Sequence, residues 1–184
     1  MVKTYAVFFL LLTGCASWFS AALAEPGAEQ ELLRYSRTHD MIAPDGVPML
    51  RVFDTGRVLV HRPAYMKQAG DYEYYLSAEE MKALQERIER KSIIDFDKAR
   101  LKQQLREAEA ALQGGGRQLF AISDNTYTHL SVYPGANGPV SDIHWANLQN
   151  DADWHSGLRD LAEMAETERF LQTLLQHPKM MKLD

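Results

Sequence analysis

The period of the hydrophobic residues changes three times along this chain, and that limits the folds open to it. Short runs with alternating apolar positions fill residues 32–76, set apart by glycine, proline and aspartate. A spacing of three to four follows over 77–112, alternation returns over 117–146, and the wider spacing closes the chain over 151–176. A period of two marks a strand with one buried face, and a period of 3.6 marks an amphipathic helix. The order strands, two helices, strands, helix predicts an α+β domain. Its expected form is an antiparallel sheet built from two hairpin or meander units, with three helices packed mainly on one face.

Local signals place the elements. Leu32–Arg37 reads as a first strand, and Val47–Phe53 and Arg57–Arg62 as a hairpin around Asp54-Thr55-Gly56, where glycine can take the positive φ of a three-residue loop. Pro63 closes that hairpin, and Tyr72–Leu76 adds a strand. Ser77-Ala78-Glu79-Glu80 is a capping box, flanked by Leu76 and Met81 at the spacing of a hydrophobic staple. Met81, Leu84 and Ile88 then share one helical face. A second helix starts near Asp95 or Asp97, carries Leu101, Leu105, Ala108 and Leu112 as its stripe, and ends at Gly114-Gly115-Gly116. Arg117–Ile122, Thr126–Tyr133 and Val140–Ala146 predict a three-stranded meander. The last helical region runs from Asp151 to Gln176, with Trp154, Leu158, Leu161, Ala165, Leu171 and Leu174 inward, and Pro178 stops it.

The N-terminus carries a different signal. Lys3, an apolar run from Tyr5 to Leu12 and small residues up to Ala22-Leu23-Ala24 follow the pattern of a secretory leader, residues 1–24. The apolar run is short of the roughly 20 residues a membrane span requires. Leu12-Thr13-Gly14-Cys15 has the form of a bacterial lipobox, so lipidation at Cys15 is the alternative to soluble release after Ala24. Either outcome places the chain in the periplasm or at the cell surface. Residues 25–31 read as a polar tail, 32–178 as one domain, and 179–184 as a C-terminal tail.

Cys15 is the chain's one cysteine. The mature domain therefore has no disulfide, thiolate zinc site or cysteine nucleophile, and about 160 residues must be held by their core alone. The whole chain carries a formal charge of −5, and loss of Lys3 with the leader makes it more acidic. That balance argues against nucleic acid as a partner. It leaves the membrane reachable only through a lipid on Cys15.

Alternation in the second meander places Tyr127, His129, Ser131 and Tyr133 opposite Leu130 and Val132. Asp142 and His144 likewise lie opposite Ile143 and Trp145. Pairing of these strands would gather two imidazoles, a carboxylate and two phenols on the sheet face away from the helices. Such a face can serve as a binding surface for a partner protein. It could also hold a general base, His129 or His144 oriented by Asp142, or a metal with two nitrogen ligands and one oxygen ligand. Arg51, Arg57 and His61 are weaker candidates for the same face, where they would form a basic patch able to receive a carboxylate or phosphate.

Other motifs fail on chemistry. The triple glycine lies between a helix and a strand, the reverse of a phosphate loop. Neither a Gly-x-Ser-x-Gly elbow nor a His-Glu-x-x-His helix occurs. The expectation is an exported envelope protein without cofactor, binding another envelope protein through its open sheet face. A hydrolase or metal protein using His129, His144 and Asp142 is one alternative. A small-ligand carrier, with a cavity between the layers near Trp145, Phe120 and Trp154, is another.

Overall fold

The first alternating run extends further than its apolar residues require. In the computed structural model, which describes residues 29–43, 45–113, 124–133 and 138–184, Glu31–His39 forms β1. The leader expected over residues 1–24 with Cys15, the glycines 114–116, the strand expected over 117–122 with Phe120, and the side chain of Leu112 lie outside the described residues. Leu33 and Tyr35 of β1 are buried while Arg34 points to solvent. β2 (Leu50–Phe53) and β3 (Arg57–Arg62) form the expected hairpin, with Val52 opposite Val58 and Gly56 at φ +82° in the loop. β4 (Gly70–Tyr75) pairs antiparallel with β3. Ser77 caps α1 (Ala78–Ile88), and both hydrogen bonds of the capping box form.

After α2 (Lys91–Ile94) and α3 (Lys98–Gln113), the chain returns as β5 (Thr126–Val132) and β6 (Ser141–Ala146). β5 pairs with the free side of β1, so the two hairpin units become one open antiparallel sheet. α4 (Leu148–Trp154), α5 (Arg159–Leu174) and β7 (Met181–Lys182) complete the chain, and the seven strands run β6-β5-β1-β2-β3-β4-β7. One face of the sheet carries Leu33, Tyr35, Leu50, Val52, Val58, Val60, Tyr74, Leu130, Val132, Ile143 and Trp145. These pack with Leu84, Ile93, Leu101 and the buried side of α5 in a single core. The fold class is therefore the expected α+β, and among the described residues no helix covers the other sheet face. Among the described residues, no helix is long and apolar enough to cross a membrane.

Several boundaries differ, each for a physical reason. The single helix expected over 151–176 breaks at His155–Leu158, around Gly157, into α4 and α5. At about 100° per residue, Leu161 lies half a turn out of phase with Ala152, so one straight helix could not bury both. The break turns Trp154, expected inward, out to 46% exposure. The C-terminal tail is not free, because Tyr72 pairs with Lys182 and Glu73 with Met181. His177 stacks on Tyr74 at 4.2 Å and lies 3.1 Å from the capping-box carboxylate of Glu80, joining the end of the chain to the start of α1. Glu29 and Glu31, expected in a polar tail, are ion-pair partners of sheet arginines.

α5 carries one charge on its apolar stripe. Glu168 is 2% exposed and accepts hydrogen bonds from Thr128 (2.6 Å), Tyr35 (3.2 Å) and Gln149, tying α5 to β5, β1 and α4. Burial and the Glu168 carboxylate both push the Tyr35 phenol up from its ordinary pKa. Removing the carboxylate strands three donors, and each unsatisfied buried group costs about 1–3 kcal/mol. Glu168→Ala is thus expected to lower unfolding free energy by at least about 2 kcal/mol in urea titration. Glu166→Ala, two residues away in a half-exposed pair with Arg90, is expected to cost no more than about 1 kcal/mol. Equal losses would contradict this reading of Glu168.

Candidate functional site

Register decides what the uncovered face presents. His144 of β6 lies opposite His129 of β5, which lies opposite Ser36 of β1. One pleat along, Asp142, Ser131 and Arg34 form a parallel row. The two imidazoles stack with centroids 4.2 Å apart and planes 18° from parallel, and Tyr127 lies 5.5 Å from His144. Ser131 donates to Asp142 at 2.8 Å, and the Arg34 guanidinium lies 5.1 Å over the Tyr133 ring. Tyr127, His129, Tyr133, Asp142 and His144 therefore share one face, as alternation predicts.

The same geometry bears on the catalytic and metal readings. Asp142 is engaged by Ser131, and among the described residues no hydrogen bond joins it to either imidazole, so the base–orienter pair is not assembled. Stacked rings hold their in-plane lone pairs side by side rather than converging on one point. Among the described residues, no group of three His, Cys, Asp or Glu side chains is placed to hold a metal ion. Burial, followed by the charge of His144, holds His129 below the ordinary histidine pKa.

The weaker candidates also reach this face, but not as a basic patch. Arg51 pairs with Glu31 at 2.6 Å, and Arg57 with Glu29 at 2.6 Å, the two guanidiniums flanking the Phe53 ring. His61 lies between two carboxylates, 2.7 Å from Asp71 and 2.8 Å from Asp45. An imidazole can donate from both nitrogens only when protonated, and carboxylates accept, so the arrangement belongs to the cation. Burial alone would lower the His61 pKa, but the hydrogen bonds to Asp71 and Asp45 outweigh it and hold the group above its ordinary value. Each weaker candidate is thus neutralised by acids that the alternating pattern left in loops, in the N-terminal segment or on the next strand.

The Asp45–His61 contact holds the segment before β2 against the sheet. Between this segment and the outer side of β1 lies a cleft of about 330 Å³, lined by Ser36, Thr38, Val47, Tyr65, His129 and Tyr133 among others. Of the residues expected to line a cavity between the layers, Phe120 lies outside the described residues, and the other two do not face a common space. Trp154 is exposed, Trp145 is buried and donates to Asp151 at 2.8 Å, and the space between the layers beneath Tyr35 and Ile143 is about 10 Å³. Sequence reasoning missed Glu168, although its spacing from Ala165 and Leu171 puts a charge on the apolar stripe. It also missed Arg37, in phase with Leu33 and Tyr35 on the core side of β1.

No protein-family model, no curated protein and no solved structure matches this chain significantly. What the domain does is therefore read from its geometry, and where it resides from the pattern of residues 1–24.

The two histidines have opposite linkage to pH. Stabilisation by the His61 clamp is complete below about pH 6.5 and is lost as pH rises through the elevated His61 pKa. His129 resists protonation in the fold, so its contribution is lost as pH falls below about 6.5, where the unfolded chain takes up the proton first. Imidazole NMR titration is expected to give a midpoint above about 6.5 for His61 and below it for His129. The reverse order would contradict both environments.

Proposed function

We propose that this protein is a non-catalytic binding module of the bacterial cell envelope that engages another protein through the outer face of β5 and β6. The observation that carries the reading is the cluster of Tyr127, His129, Tyr133 and His144 on an open sheet face beside the edge strand β6. Aromatic and imidazole groups on a rigid sheet bury large area at small cost in side-chain entropy, the property shared by residues that dominate protein interfaces. The neighbouring β2–β4 part of the face is saturated with internal ion pairs. The β5–β6 part, by contrast, is polar and aromatic and nearly free of them.

Export is part of the proposal and is supported by the leader pattern of residues 1–24, with soluble release after Ala24 as the form adopted. The hydrolase reading has less support, because Asp142 is engaged by Ser131 and orients neither imidazole, and the Thr38 hydroxyl beside His129 Nε2 lies at the long distance of 3.5 Å.

The test combines Tyr127→Ala, His129→Ala, Tyr133→Ala and His144→Ala in one chain. Crosslinking in intact envelopes, followed by mass spectrometry, is expected to recover a specific partner with the wild type and lose it with the combined variant. A control variant, Glu79→Ala with Lys82→Ala on the exposed side of α1, is expected to retain it. An unchanged set of crosslinked proteins with a folded combined variant would overturn the proposal.

A further inference from the structure

β1 outruns the core. Beyond Tyr35 its next inward side chain is Arg37, at the open end of the layers where the sheet and the C-terminal turn of α5 separate. A cleft of about 560 Å³ opens there, within the range of small-molecule sites. Its cationic lining is Arg37, His61, Arg62 and Lys67, and no carboxylate is among its lining residues. On a protein of net charge −5 that is a marked local inversion. Of these cations, His61 is committed to Asp45 and Asp71, and Arg62 donates to Gln68.

Arg37 is different. On the outer face Arg34 and Arg51 share Glu31 and Arg57 takes Glu29, whereas among the described residues Arg37 has no acid partner. Its Nε is fully buried without a hydrogen bond, and so is Nε2 of Gln172, which lines the same cleft from α5. Glu168, one turn back on α5, is already occupied by Thr128, Tyr35 and Gln149. Two buried donors left open at one place cost free energy that an acceptor would recover. The rest of the wall is apolar, formed by Ile42, Met49, Val60 and Leu175, with Tyr65 and Met66 exposed at the rim.

We infer that this cleft is a binding site for an amphiphilic carboxylate, its head group on Arg37 and Gln172 and its apolar chain along the wall toward Tyr65 and Met66. A guanidinium presents a planar fork that matches the two oxygens of a carboxylate, and burial strengthens the charge-assisted contact. The apolar wall selects against small hydrophilic anions, which would leave it in water. The site lies at the end of the layers and uses none of Tyr127, His129, Tyr133 or His144, so it stands independently of the β5–β6 surface.

Decanoate is the probe, with decanol and acetate as controls lacking the charge and the chain respectively. In proton–nitrogen correlation spectra, decanoate is expected to shift the Arg37 Nε–H and Gln172 side-chain amide signals saturably, while equal decanol or acetate leaves them in place. Arg37→Gln is expected to weaken decanoate binding about tenfold or more, the scale of a lost charge-assisted hydrogen bond. Gln172→Leu, expected to weaken it less, gives a second reading if Arg37→Gln does not fold. Absence of any shift at Arg37 with millimolar decanoate would overturn the inference. So would an equal response to decanol, or undiminished binding in a folded Arg37→Gln chain.

Discussion

The domain depends on β1 being paired on both sides. Leu33 to Tyr35 face β2 on one side and β5 on the other, and among the described residues β1 is the strand through which the two hairpin units pair into one sheet. A strand at the centre of a sheet has no unpaired amides to expose, and its core-side residues are covered by the helices. Both halves thus draw on one core, with Leu33 and Tyr35 at its middle and Glu168 pinning α5 across it. With Cys15 as its single cysteine, the chain can form no internal disulfide.

That arrangement makes the two faces unlike. The core side is closed by α5 and by hydrogen bonds that end in a buried carboxylate. The outer side carries side chains and the segment before β2, and it divides along β1. Toward β4, arginines and acids neutralise one another in pairs that fix the N-terminal segment to the sheet. Toward β6 lie stacked imidazoles and phenols with few charges. Where β1 leaves the core it carries Arg37 into the gap between sheet and helix, so one strand contributes to the outer surface, the core and the cleft at the end of the layers.

Much of this was legible in the sequence because it is local. The capping box at Ser77 and the hairpin at Gly56 need only neighbours a few residues away, and alternation along β5 and β6 was enough to put Tyr127, His129, Tyr133, Asp142 and His144 together. What the residues did not reveal depends on distant partners or on phase. The break between α4 and α5 follows from two stripes half a turn apart, which a count of apolar residues hides. β7 exists because β4 offers it an edge, and the last residues carry no strand pattern of their own. The pairing of Arg51, Arg57 and His61 with acids required the fold, since Glu29, Asp45 and Asp71 are remote from them or on another strand. Arg37 was overlooked because an arginine in phase with Leu33 and Tyr35 reads as the end of a strand.

Backbone hydrogen exchange tests the central role of β1 most directly. If both hairpins hang on this strand, the amides of Leu33 to Tyr35 exchange only through global unfolding and are among the slowest in the domain. The outward amides of β6 and those of the segment before β2 then exchange much faster. Amides of β1 that exchange before those of β3, or together with the edge of β6, would contradict the account.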